Sequence, residues 1–248
     1  MLAHEQLSSG LSRLDLKTAT SSARPVVGHT LVIVHGLPRL VGMGRQAAGL
    51  LPELAEHVAN ESGWTVATGT LSGVGGSTGS FSPSQWRRDL ATILDHVAAS
   101  DARVSLAGFG FGGSLALAVA ATDERVRGVA TFAAPAHLDA WAGSPEELHR
   151  AVQVAGVVGD PGDLLDPETL YRDLMTVDPI SAIAKLPPRR LLIGHGLDDG
   201  EVPVAHARDL VLAAEGRAEL RLIPGAGHQL RADPRMVATL LGWLDRHR

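Results

Sequence analysis

Four short stretches of this sequence hold groups capable of chemistry: His35-Gly36-Leu37-Pro38, the glycine-rich run Gly108 to Gly113, the segment His195 to Pro203 with its adjacent Asp198 and Asp199, and Pro224 to His228. An imidazole near a carboxylate can act as a general base at neutral pH. Successive backbone N–H groups at a helix start can hold a developing oxyanion or a phosphate. Each stretch also has an ordinary explanation. A loop histidine is usually solvated and idle, an Asp within a turn is usually a turn former, and a His-Gly pair closes a strand tightly. With no cysteine in the chain there is no thiolate nucleophile, no thiolate metal site and no disulfide framework.

Placement decides between these readings. The run Thr30 to His35 is continuously apolar and β-branched between Gly28 and Gly36, the pattern of a strand buried on both faces of a parallel sheet. Further strands are expected over Trp64 to Thr68, Arg103 to Ala107, Val126 to Phe132, Arg190 to Gly194 and Glu219 to Ile223. Helices are expected over Gln46 to Ser62, from Pro83 onward, over Leu115 to Ala121, over Pro203 to Glu215 and after Asp233-Pro234. Ser82-Pro83-Ser84-Gln85 reads as an N-cap, a first-turn proline and a capping-box glutamine. Residues 1–28 are weakly patterned, with an edge strand or hairpin over Leu11 to Thr18 and a mobile start. Between 136 and 188 the pattern changes to short capped helices, beginning at Ser144-Pro145 and Asp166-Pro167, and this insertion is a candidate lid. Its apolar residues, Trp141 among them, suit an acyl-type pocket and suit packing onto the sheet equally well. Strands alternating with helices throughout imply one α/β domain over residues 1–248, with a mostly parallel sheet covered on both faces. In such a sheet ligands bind at the carboxyl ends of the strands. All four chemically capable stretches directly follow an expected strand.

With strand, sharp turn and helix in that order, Gly108-x-Gly110-x-Gly112 resembles the G-x-S-x-G nucleophile elbow of the α/β-hydrolase fold family, with glycine at the central position. His195 to Pro203 is similar to that family's H-G-x-x-D-x-x-V-P segment, and Gly225 to His228 to its G-x-G-H. Gly73 to Ser77 and the residues before it resemble the R-G-x-G-x-S loop, with Ser72 where arginine is common. Together the matches run from about Thr30 to Trp243. The resemblance implies an α/β-hydrolase fold with His228 as the catalytic histidine, Asp199 orienting it in preference to Asp198, and Gly110 at the nucleophile position. It implies backbone donors for an oxyanion at Leu37 and Phe111, and a substrate environment that includes His35, Gly36, Phe109 and Trp141. Gly108, Gly110 and Gly113 also fit a dinucleotide-binding G-x-G-x-x-G spacing. That reading is weaker, because the turn lies mid-chain and the next strand ends in Phe132-Ala133-Ala134-Pro135, without the acidic residue it requires.

The formal charge of −5 leaves no basic footprint for nucleic acid. The longest apolar runs, such as Leu115 to Ala121, are too short to cross a bilayer, and the polar first 25 residues do not resemble a secretory signal. A cytoplasmic protein with a small acyl-type substrate or ligand is expected, with no nucleic acid and no membrane. No H-E-x-x-H or comparable pair occurs among the eleven histidines, so no metal site is expected, and no cofactor is expected either.

Glycine at position 110 deletes the hydroxyl while easing the turn, since elbow backbone costs a non-glycine residue about 1–3 kcal/mol. No acyl-enzyme can form there. A triad without its nucleophile still retains roughly a thousandfold to ten-thousandfold acceleration over water. Ser114 lies one helical turn deeper, about 6 Å along the axis, and is poorly placed to substitute; Ser72 and Ser77 lie on a loop nearer the site. Four readings remain open. The chain could hydrolyse an ester or thioester through water activated by His228, or use the His-Asp pair as a base for a lyase, cyclisation or cofactor-free oxygenase reaction. It could instead be a non-catalytic pseudo-hydrolase that binds a ligand or partner, or a serine esterase whose serine was replaced by glycine to trap a substrate.

Overall fold

Strands that are apolar on both faces can only be satisfied in the middle of a layered structure, and that is where this chain puts them. The computed structural model describes residues 1–23, 25–38, 49–98 and 103–247. Strands β1 (Leu2–Ser9), β2 (Ser12–Ala19), β3 (His29–Val34), β4 (Thr65–Gly69), β5 (Arg103–Phe109), β6 (Val126–Phe132), β7 (Arg190–Gly196) and β8 (Glu219–Ile223) form one eight-stranded sheet in the order β1-β2-β4-β3-β5-β6-β7-β8. From β4 to β8 the pairing is parallel, whereas the β1–β2 hairpin is antiparallel and joins β4 antiparallel. β3, β5, β6 and β7 are buried over nearly their whole length, with exposure confined to their amino-terminal residues. The chain moves from β3 to β4 on one side and then back across to β5 on the other. The carboxyl ends of β3 and β5 therefore border the switch point, where open parallel sheets bind ligands.

Helices α1 (Leu51–Ser62) and α9 (Pro234–Asp245) pack together over the sheet, and α2 (Pro83–Ala98), α3 (Phe111–Ala120), α7 (Pro179–Ala184) and α8 (Ala205–Ala213) form a second contiguous layer. Between β6 and β7 lie α4 (Leu138–Ala142), α5 (Pro145–Ala155), α6 (Pro167–Leu174) and α7. Their starts follow the expected cap chemistry. Ser144 and Glu147 form a reciprocal capping box, and Asp166 and Asp178 accept hydrogen bonds from the N–H groups of Thr169 and Ser181.

Several expectations need correction. Residues 2–9, expected to be a mobile start, are a full strand paired with β2, and the Met1 ammonium donates to Thr20 O. β1 buries almost no side chain, so its pairing rests on backbone bonds and leaves no hydrophobic signature. The helix after the elbow begins at Phe111, four residues earlier than its apolar run, and the helix expected from Pro203 begins at Ala205. At α2 the capping box is half formed. The Gln85 N–H donates to Ser82 Oγ, but its side chain donates to Asp89 instead of returning to the cap. The Gln46 start expected for α1 lies outside the described residues; the described helix starts at Leu51.

The elbow is glycine-rich because neighbouring backbones leave no room for anything else. A Cβ on Gly112 would lie 2.1 Å from His35 O, and one on Gly108 would lie 2.4 Å from Gly112 O. Gly110 differs: its φ of 53° and ψ of −131° are strained for other residues, yet its Cβ position is open, with nothing nearer than 3.5 Å. Gly112→Ala should therefore destabilise the fold by about 3 kcal/mol or more, against about 1–3 kcal/mol for Gly110→Ala. Urea unfolding of the two variants checks this; equal losses would contradict the packing account.

Candidate active site

Asp199 sits on the turn after β7, and that turn is shaped around its carboxylate. Oδ1 accepts the backbone N–H groups of Glu201 and Val202, both at 2.9 Å. Oδ2 accepts from His228 Nδ1 at 2.9 Å and lies 3.3 Å from His195 Nε2, which also donates to Val202 O at 2.8 Å. The Asp199 side chain is fully buried. Burial alone would raise its pKa, but the bonds from His195, His228 and the Val202 N–H outweigh it and hold the carboxyl well below its usual range. It is an anion at neutral pH. Its partner therefore keeps the proton on Nδ1, which leaves His228 Nε2 as the basic nitrogen.

That nitrogen faces the elbow. The Cβ position of Gly110 is 3.5 Å from His228 Nε2 and 3.9 Å from Gly36 Cα, so the turn after β3, the elbow after β5 and the loop after β8 meet at one point. Phe111 is the first helical residue of α3, and the N–H groups of a helix's first turn have no intrahelical acceptor. Leu37 lies on the turn beside it and is largely buried. Residues 39–48, which follow in the sequence, lie outside the described set. Asp198, the neighbour weighed against Asp199, is exposed, and its backbone N–H donates to Ala226 O.

The remaining candidates have defined places. The His35 imidazole is buried, donates from Nδ1 to Gly36 O at 2.9 Å and accepts the Leu71 N–H on Nε2 at 3.0 Å. It stands edge-on to Trp86, so its side chain anchors the loop after β4. Phe109 stacks on Phe132 and lies in an apolar cluster with Leu54, Leu230 and Met236. Trp141 of α4 lies parallel to Phe111, centroids 5.5 Å apart, and so ties the β6–β7 insertion to the elbow. Of the alternative serines, the Ser72 hydroxyl is buried without a hydrogen-bond partner among the described residues, and the other two are occupied by structure. Buried Ser114 donates to Pro135 O, and Ser77 bridges Thr70 O and the Asp15 N–H.

Two residues escaped the sequence reading. Buried Asp89 receives the Ser72 N–H at 2.8 Å and the Ser9 hydroxyl at 2.7 Å, so a carboxylate from α2 holds the loop that carries Ser72 in place of an arginine. Its position three residues after Trp86, on the apolar face of α2, was the available signal. Glu201 Oε2 lies 3.9 Å from His228 Nε2. Burial lowers the pKa of His228, but the Asp199 hydrogen bond and charge, with Glu201 behind them, raise it above the ordinary imidazole value, while Arg231 acts in the opposite sense.

Comparisons with known proteins agree with this architecture. Residues 29–155, half of the chain, match the family model described as alpha/beta hydrolase fold, and the chain belongs to that family. Among solved structures, an alpha-beta serine hydrolase homologue from Coxiella burnetii is 18% identical with a TM-score of 0.66, covering 99% of this chain and 96% of that one. A serine hydrolase described as without lid, from Xanthomonas campestris, is 21% identical with a TM-score of 0.64, covering 99% and 92%. A mutant of the meta-cleavage product hydrolase of Pseudomonas fluorescens, complexed with acetates, is 17% identical with a TM-score of 0.70, covering 98% of each chain. No curated protein matches the chain. No helix among the described residues is long and apolar enough to cross a membrane, and among them no group of three or more His, Cys, Asp or Glu could hold a metal ion.

Two titrations follow from these surroundings. Because the folded state favours protonated His228, its stabilising contribution is complete below pH 6.5 and is lost as pH rises through the raised folded value. NMR titration of the His228 ring should give an apparent pKa above 6.5 that falls in Glu201→Gln; a value at or below 6.5 in the parent would contradict the assigned surroundings. For His35 the sign reverses, since burial holds its pKa down to about 4. Its contribution is present above pH 6.5 and is lost as pH falls from 6.5 towards 4. Across that window it should steepen the loss of stability by up to about 1.4 kcal/mol per pH unit, and His35→Gln should remove that slope in urea melts.

Proposed function

We propose that this protein hydrolyses an ester or thioester by direct attack of water, with His228 as general base and Asp199 as the anion that orients it. One observation carries the reading. The position that a serine Cβ would take at Gly110 is free of close contacts, and the basic nitrogen of His228 lies 3.5 Å from it. A water in that space would lie within reach of Nε2 and beside the first turn of α3. Water oxygen attacks the acyl carbon as its proton passes to Nε2, and the carbonyl oxygen takes up the negative charge between the Phe111 and Leu37 N–H groups. Collapse of this intermediate expels the alkoxide or thiolate, which takes the proton back from His228 and restores the neutral imidazole.

The neighbours named serine hydrolases support an acyl substrate. The insertion α4 to α7 would act as a lid over an apolar acyl site, with Trp141 stacked against Phe111 as part of its wall. The substrate is a small molecule, the reaction requires no metal or cofactor, and the cytoplasm is the proposed setting.

The test is turnover of a p-nitrophenyl or thioester substrate by the parent and His228→Ala, with mass spectrometry for acyl adducts. Loss of about 100-fold or more in His228→Ala, and no adduct on the parent, is expected. Absence of parent turnover, or turnover indifferent to His228→Ala, would overturn the reading. Gly110→Ser should cost about 1–3 kcal/mol of stability and create an acyl-enzyme adduct absent from the parent, because its hydroxyl would face the same nitrogen.

A further inference from the structure

At the opposite end of the sheet from Gly110, the amino-terminal ends of the strands enclose a cleft of about 410 Å³. It is lined by Arg103, Arg127 and Arg190, from the starts of β5, β6 and β7, and, among the described residues, by no carboxylate. Among the described residues none of these guanidinium groups has an ion-pair partner. In a chain of formal charge −5, three arginines on one cleft without an ion-pair partner among the described residues are a local concentration of positive charge.

The backbone brings them together. Paired residues on adjacent strands project from the same face, and His29 pairs with Arg103, Ser105 with Gly128 and Gly128 with Arg190. His29, Arg103 and Arg190 thus share one face. Arg127 would alternate to the other face, but the register jumps from Val104–Val126 to Ser105–Gly128, which leaves Arg127 as the extra residue of a bulge. Bulges re-aim side chains, and this one admits a third guanidinium to the cleft. Trp64 and His29 form the adjoining wall, their rings 4.9 Å apart. Trp64 is 1% exposed, and its indole N–H, like His29 Nε2, is buried without a protein partner. Buried polar groups of this kind are normally satisfied by a ligand or by ordered water.

We propose that the amino edge of the sheet binds a phosphate group, free or carried by a small organic phosphate, between Arg103, Arg127 and Arg190. Guanidinium forks match phosphate oxygens in pairs, and a phosphate would neutralise the charge that the three side chains accumulate. The strands separate this cleft from His228 by roughly 20 Å. The inference is independent of the hydrolytic reading and is tested without any substrate turnover.

The experiment titrates inorganic phosphate and AMP into the full chain at fixed ionic strength, with chloride as the control anion, read by calorimetry and by tryptophan fluorescence. One saturable site is expected. It should be weakened about tenfold by Arg127→Gln and by Arg190→Gln, and unchanged in His228→Ala. Both arginines are exposed, and circular dichroism in chloride confirms that the variants fold. Tighter binding of AMP than of inorganic phosphate identifies an organic phosphate as the ligand; equal binding identifies the ion. Failure to saturate with either probe, an equal response to chloride, or folded variants that bind as tightly as the parent would overturn the proposal.

Discussion

A fully buried carboxylate is tolerated only if every lone pair it exposes finds a donor, and the carboxyl edge of this protein is built around that requirement. Asp199 receives two backbone N–H groups from its own turn and two imidazoles from either side. The turn is in turn bound to the loop that brings His228. The Leu197 N–H donates to Ile223 O and the Asp198 N–H to Ala226 O, while Gly196 lies against the Ala226 carbonyl so closely that a Cβ would come within 2.2 Å. The acidic residue and the histidine are therefore parts of one hydrogen-bonded unit. Moving either would strand a buried charge, which makes their relative geometry far stiffer than that of two loop residues facing each other across solvent.

The elbow is stiff for a different reason. Its backbone path is fixed by close approaches at Gly108 and Gly112 and by the Gly110 N–H bonded to Phe132 O, none of which involves a side chain at position 110. The turn holds its strained dihedral angles with or without a hydroxyl, and glycine holds them at lower cost. Donor groups at the start of α3 are backbone groups as well. What the chain lacks relative to a serine elbow is one oxygen atom and its carbon. The positions of His228, Asp199 and the backbone N–H groups at the start of α3 rest on contacts that do not involve that oxygen.

How much of this was legible in the sequence depends on whether a feature announces itself through side chains. The buried strands β3, β5, β6 and β7 are apolar runs because both their faces are covered, and the caps at Ser144 and Asp166 are short-range chemistry; both kinds of signal lie within a few residues. Asp199 and His228 were legible through the resemblance of their segments to the hydrolase family, since a single Asp or His has no periodicity. β1 was invisible because its stabilisation is backbone pairing at an exposed edge. His35 was read as part of the substrate environment, yet its ring turns inward to hold the Leu71 N–H, a partner 36 residues away that local pattern cannot indicate. Asp89 and Glu201 were missed for the same reason: their roles exist only once distant loops are brought together.

The two ends of the parallel strands differ in a way that follows from how each strand is buried. β5, β6 and β7 each carry an arginine at their first or second residue and then run buried to the carboxyl edge. At the carboxyl edge the Asp199 carboxylate is buried and paired with His228, which fixes the protonation state of that pair. At the amino edge the three arginines are exposed and, among the described residues, share their cleft with no carboxylate. A paired buried carboxylate resists changes in salt and ligand, whereas an unpaired cationic rim responds to any multivalent anion that reaches it. The same sheet thus offers a rigid end suited to chemistry and a responsive end suited to binding, and the length of its strands keeps the two electrostatically separate at physiological ionic strength, where screening acts over about 8 Å.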